Sequence, residues 1–147
     1  MNKLSTVDDV LDFAIGGESK ASELYTEMAA MVENPWISKT LEGMAQEELQ
    51  HEKKLKAVRA RKLTLSRDQV SGLGIADAVE KTEPHAKMNY RELLAYAIKK
   101  EGVSQGLYSR MATIFDEPEL RDMFLKLAEE EADHKRRFEM QYESLMS

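Results

Sequence analysis

The sequence predicts an all-α protein, a four-helix bundle made of two repeated helical hairpins joined by a long crossover. Three observations predict it. The first is composition. The chain has 147 residues with only 3 Pro and 7 Gly, 33% charged side chains and abundant Leu, Ala, Glu, Lys and Met, which suits one helical domain with a real core. The second is an internal repeat. VLDFAIGGESKASELYTEMAA (10–30) lies over LLAYAIKKEGVSQGLYSRMAT (93–113), and AQEELQHEKKL (45–55) over AEEEADHKRRF (128–138), at a constant offset of 83 residues. The third is spacing: within each segment the apolar positions advance in steps of three and four, as a bundle seam requires.

Each helix then has its own signals. Helix 1 runs from about Thr6 to about Glu33; Ser5 or Thr6 caps it, and Asp8 and Asp9 complement the helix dipole in the first turn. Gly16-Gly17 weakens it by roughly 1 kcal/mol per Gly relative to Ala, enough to make room for a small bulge there. Asn34-Pro35 breaks the chain and restarts it, with Asn34 as N-cap and Pro35 at the first helical position. Helix 2 continues to about Lys62, which closes a first hairpin over residues 1–62. Residues 63–88 carry two Gly, a Pro and no sustained stripe, and read as a crossover with a short helix near Ile75–Lys81. Asn89-x-x-Glu92 is a cap with its reciprocal Glu. It opens helix 3, which runs to about Phe115, and Pro118 opens helix 4, which runs nearly to Ser147; these make a second hairpin over 89–147.

The seams carry the chemistry. Helix 2 presents Ile37, Leu41, Met44, Glu48, His51, Leu55 and Val58; helix 4 presents Leu120, Phe124, Leu127, Glu131, His134, Phe138 and Gln141. Glu and His stand where Leu is expected. Helix 1 presents Leu11, Ala14, Glu18, Ala21, Tyr25, Met28 and Val32; helix 3 presents Leu94, Ala97, Glu101, Ser104, Tyr108, Met111 and Phe115. Each lone Glu therefore lies on a seam between two small residues, which leave room for ions. One Glu followed by Glu-x-x-His, given twice, is the ligand set of a di-metal bundle.

Height supports this set. Counted from residue 34, Glu18, Glu48 and His51 all lie roughly 21–26 Å along the helices at 1.5 Å per residue. The second hairpin repeats the relation. An approximate two-fold axis would join the two levels, and the crossover must then span about 40 Å, within reach of its extended length at about 3.3 Å per residue. Four carboxylates at one level would cost many kcal/mol if uncompensated, whereas two divalent cations cancel their charge. Oxygen and imidazole donors without sulfur suit iron or manganese, and zinc fits as well.

The segments AIGGESKASELYTEMA, AQEELQH, AIKKEGVSQGLYSRMA and AEEEADH resemble the rubrerythrin-like branch of the ferritin-like superfamily over nearly all four helices. The resemblance implies a ferritin-like fold and a non-haem di-iron site whose reduced form reacts with hydrogen peroxide or dioxygen. It implies that Glu18 and Glu101 are terminal ligands, Glu48 and Glu131 bridging ligands, and His51 and His134 one nitrogen ligand per metal. Two departures from the family pattern follow. The chain has no Cys, hence no rubredoxin-type iron site, so electrons come from an external donor such as a rubredoxin-like protein. The further ligand Glu that rubrerythrins carry three residues after the lone Glu of helix 3 is Ser104 here, matching Ala21. The resulting symmetric set also suits ferroxidase-like oxidation of Fe(II), or iron storage without turnover.

Other features have plainer readings beside the functional ones. Tyr25 and Tyr108 are either core aromatics or phenols bonded to the bridging carboxylates, which would make them catalytic together with Glu48 and Glu131. Glu47 and Glu130 fall off the seam and are read as solvated or as supports for the ligands. His85 reads as a surface residue of the crossover, Trp36 as packing the first turn, and Met28, Met44 and Met111 as core filler. A net charge of −6 without a basic block argues against nucleic acid, and no apolar run reaches the ~20 residues of a membrane span. MNKLSTVDD lacks the apolar core of a signal peptide, so a cytoplasmic protein is expected. Near-equivalent hairpins lead to the expectation of a homodimer, with helices exchanged between copies as one route to it.

Overall fold

The structure, a computed structural model, describes residues 6–61 and 88–146. Among these residues the protein is all-α, with helices α1 (Val7–Met31), α2 (Pro35–Arg59), α3 (Tyr90–Met111) and α4 (Pro118–Met146). α1 packs on α2 and α3 packs on α4, giving two helical hairpins, each a compact unit. Two such hairpins are the parts of the predicted four-helix bundle. The crossover, its short helix near 75–81, Ser5 and His85 lie outside the described residues.

Local chemistry sets the helix starts. Thr6 and Asp9 form a reciprocal capping box: the Asp9 N–H donates to Thr6 Oγ1 (3.0 Å) and the Thr6 N–H donates to Asp9 Oδ2 (3.3 Å). Asn34 Oδ1 accepts from the N–H groups of Trp36 (2.9 Å) and Ile37 (3.2 Å), so two of the orphan donors of α2 are satisfied by one side chain. Asn89 and Glu92 repeat the capping box at α3, with the Glu92 N–H donating to Asn89 Oδ1 at 2.8 Å. Each prediction for these three caps holds.

The ends are less regular. α1 stops at Met31, because Val32 and Asn34 are extended ahead of Pro35, whose ring disfavours a helical residue before it. The Ser38 hydroxyl donates to the exposed end of α1 at Ala29 O (2.8 Å), tying the first turn together. α3 ends at Met111, not at Phe115. The chain tightens there through i→i+3 bonds at Thr113 and Ile114, and the irregular turn tucks Ile114 and Phe115 into the core. Phe115 stacks on Phe124 of α4, with centroids 5.2 Å apart and planes at 11°. No bulge forms at Gly16-Gly17. α1 runs through it unbroken, and a Cβ at either Gly would meet nothing within 4 Å.

The open end of each hairpin has its own latch. In the first, Arg59 of α2 reaches α1, with Nε 2.9 Å from Asp12 and Nη1 3.2 Å from Asp8. In the second, the Tyr90 hydroxyl donates to Gln141 Oε1 at 2.8 Å, and burial pushes the Tyr90 phenol up to about 12. Between latch and turn the seams are dry. Leu11, Tyr25, Met28, Leu41 and Leu55 in one hairpin, and Leu94, Phe124, Leu127 and Phe138 in the other, are at most 2% exposed. Burying each such side chain contributes roughly 1.5–3 kcal/mol. That apolar frame holds the polar residues at mid-height.

Candidate metal centre

In the first hairpin Glu48 and His51 share one face of α2 because they are one turn apart. Glu18 meets them from α1. His51 Nδ1 lies 3.1 Å from Glu18 Oε2 and 3.5 Å from Glu48 Oε1, and all three side chains are at most 1% exposed. In the second hairpin His134 Nδ1 lies 3.6 Å from Glu101 Oε2 and 3.8 Å from Glu131 Oε1, with the same burial. The height relation deduced from the turns therefore holds inside each hairpin. Glu18, Glu48 and His51 offer ligand atoms within 4.8 Å of one another, as do Glu101, Glu131 and His134.

These separations fit a metal. Donors at about 2.1 Å from a common ion lie roughly 3.0 Å apart in an octahedron and about 3.4 Å apart in a tetrahedron. The hairpin distances of 3.1 and 3.5 Å match, and 3.6 and 3.8 Å need only a small contraction. Charge makes the same demand. Two carboxylates per hairpin sit in an apolar frame, where an ion uncompensated by its surroundings is penalised by several kcal/mol. A divalent cation in each set would balance the two negative charges, and oxygen plus imidazole donors without sulfur suit iron or manganese, with zinc fitting as well.

Other singled-out residues separate clearly. Tyr25 and Tyr108 are fully buried, two turns beyond Glu18 and Glu101 on the same faces, and the Tyr108 ring lies 6.2 Å from that of Phe124. Met28, Met44 and Met111 are buried core residues, as expected. Glu47 is exposed and Glu130 half-buried, so neither joins the ligand sets. Trp36 does not pack the first turn. It is 80% exposed, although its backbone N–H is held by the Asn34 cap. Sequence reasoning also missed how open Ser104 is. It is partly exposed, whereas Ala21 is 2% exposed at the matching position. The only available signal was a hydroxyl in the middle of a seam.

The family model described as rubrerythrin matches residues 9–89 and 92–147 of the chain. No curated protein and no solved structure gives a significant match.

Proposed function

The chain belongs to the rubrerythrin family, and from that membership and its two buried ligand sets we propose that it is a non-haem di-iron oxidoreductase that reduces hydrogen peroxide or dioxygen with electrons from an external donor. One observation carries the reading: each hairpin brings two buried Glu and one buried His to a common point at mid-height. In this reading the two sets share one centre. Glu18 and Glu101 are terminal ligands, Glu48 and Glu131 bridge, and His51 and His134 supply one nitrogen each. Manganese or zinc can substitute in the same donor set.

Two ferrous ions would supply the two electrons that a peroxide accepts. Reduction of one hydrogen peroxide also consumes two protons and releases two waters. The chain's own residues bind, orient and shield. The carboxylates fix the ions, the aliphatic frame keeps bulk water away, and Tyr25 and Tyr108 hold phenol protons on the faces of α1 and α3 that carry Glu18 and Glu101. We assign those phenols to hydrogen bonds with the bridging carboxylates, which makes Glu48, Glu131, Tyr25 and Tyr108 the residues closest to the chemistry. The 147 residues hold no Cys, so the electron supply is assigned to a separate, rubredoxin-like donor.

A second reading, Fe(II) oxidation or storage with little turnover, draws support from Ser104. Without a further carboxylate at that position the ligand set is symmetric. Stopped-flow absorbance of the Fe(II)-loaded protein mixed with peroxide or with dioxygen decides. Rapid oxidation by peroxide, reversed by a reduced rubredoxin, supports the oxidoreductase. Oxidation only under excess Fe(II), with retention of Fe(III), supports the second reading. A protein that takes up no metal after Fe(II) reconstitution refutes both.

A further inference from the structure

The two ligand sets sit among different charges. Two residues adjoin each ligand in sequence, and the repeat matches those of one set to those of the other. Around Glu18, Glu48 and His51 the charged neighbours are Glu47 and Glu52, both negative. Around Glu101, Glu131 and His134 they are Lys100, Glu130, Asp133 and Lys135, whose charges cancel. The one reversal of sign falls on the residue after the histidine, Glu52 in the first hairpin and Lys135 in the second. Lys135 is also held in place. A Cβ on Gly102 would lie 3.7 Å from Lys135 Cε and 4.0 Å from Lys135 Cδ, so the lysine stem crosses from α4 and lies against α3 where a side chain is missing. Gly16, Gly17, Gly43 and Gly106 have no such neighbour within 4 Å. In the first hairpin Ser19 stands at the position of Gly102, and Glu52 pairs along its own helix with Lys56 at 3.9 Å. Gly102 directly follows Glu101, with consecutive Cα atoms about 3.8 Å apart, so the contact keeps the ammonium roughly 10 Å from the Glu101 carboxylate. Geometry separates the sets in the same sense: the ligand contacts are 3.6 and 3.8 Å around His134 but 3.1 and 3.5 Å around His51.

We infer that the two sets differ in metal affinity: the set Glu18–Glu48–His51 fills first, and Lys135, laid over Gly102, makes the set Glu101–Glu131–His134 the weaker one. This inference rests on the metal-centre reading above. Two effects of the lysine act in the same direction. Its fixed positive charge repels an incoming divalent cation, and it favours the ionised carboxylates of the empty set, which the metal must then outcompete. Exchanging a negative for a positive charge about 10 Å from a divalent ion weakens its binding by roughly tenfold at low ionic strength, and added salt screens the difference at that range. The wider spacing adds to this, since donors at 3.6 and 3.8 Å must draw in before they share an ion. Lys135 is a positioning residue: it sets the field at the ligands and donates no electron pair to the ion. The protein then carries one ion when metal is scarce, in its first hairpin, and completes the pair only when metal is abundant.

The test is an anaerobic calorimetric titration of the metal-free full chain with Co(II), whose visible bands report its coordination. Two binding steps about tenfold or more apart are expected at low salt, drawing together at high salt. His134→Ala should retain the tighter step and His51→Ala only the weaker, which assigns each step to its hairpin. Lys135→Glu, which restores the charge found at Glu52, should bring the steps within about threefold of each other, and Lys135→Arg should leave them as in the parent. A lysine that served packing alone would not distinguish the charge-reversed variant from the charge-retaining one. Two steps of equal affinity in the parent, loss of the tighter step in His134→Ala, or an unchanged separation in Lys135→Glu each overturn the inference while leaving the metal centre standing. Failure of the parent to bind Co(II) overturns both. If Lys135→Glu does not fold, Lys135→Gln decides in its place: it removes the charge alone and should close about half of the separation on a logarithmic scale.

Discussion

Replacing Glu48 and Glu131 together by Leu should make the metal-free protein more stable and abolish its response to metal. Both side chains are 0% exposed and stand on seams that are apolar apart from the neighbouring His51 and His134, between Met44 and Leu55 on α2 and between Leu127 and Phe138 on α4. Leu is close to Glu in volume, so neither overpacking nor a large cavity is introduced. Exchanging a buried ionic set for apolar residues typically stabilises by about 1–4 kcal/mol. In a chain of this length each kcal/mol is worth about 2–4 °C, so the chelated variant should melt about 2–16 °C above the chelated parent. Metal reverses the order of cause. At a hundredfold excess over its Kd a bound ion stabilises the parent by about 2.7 kcal/mol, or roughly 5–11 °C, and the variant by nothing. Far-UV circular dichroism melts with and without Mn(II), under anaerobic conditions, measure all four states. A chelated variant that melts below the chelated parent would mean that the carboxylates are not a burden in the seam. A variant that still gains from Mn(II) would mean that Glu48 and Glu131 are not the ligands.

Three further outcomes follow from named contacts. Phe124→Ala removes a fully buried ring that meets both Tyr108 and Phe115, and should cost about 3–5 kcal/mol in urea unfolding; a loss below 1 kcal/mol would contradict the packing of α3 on α4. His134→Ala should lower the bound metal toward half of the parent content while leaving the set at His51 loaded, as elemental analysis after Fe(II) reconstitution would show; unchanged content would remove His134 from the ligand set. Tyr90 contributes through pH: its folded pKa of about 12 lies above the ordinary value of 10.0, so its contribution is complete below pH 10 and fades as pH rises from 10 through 12. Tyr90→Phe should flatten the alkaline loss of stability in that window, and identical alkaline unfolding curves for variant and parent would refute the assignment.

Much of this protein was legible because helical spacing and ligand spacing coincide. Glu-x-x-His puts two donors on one helix face, and the counts from Asn34 to Glu18 and to His51 are nearly equal, so a short turn necessarily brings them to one level. Caps were equally legible, since Thr6-x-x-Asp9, Asn34-Pro35 and Asn89-x-x-Glu92 act through neighbours in sequence. The end of α3 was not. Ile114 and Phe115 keep an apolar spacing that suits a further helical turn, and only their stacking against α4 shows that an irregular turn buries them as well. Trp36 misled in the opposite sense. A large apolar residue beside a proline suggests packing, but the Trp36 side chain is left in solvent one residue before the first partly buried seam position, Ile37. Ser104 shows a third limit: the residue type records that a seam is small at that point, and not whether anything covers it.

The exposure of Trp36 also decides how this protein can be watched. It is the one tryptophan of the chain and is 80% exposed at the tip of the first hairpin. Its indole is already bathed in water in the native state, so its emission spectrum should shift little when the helices melt. It samples only the start of α2. The optical signals that belong to the folded interior are instead those of Tyr25 and Tyr108, one in each hairpin. A denaturation followed by tryptophan fluorescence would therefore register the loosening of a single turn and pass over the loss of both seams.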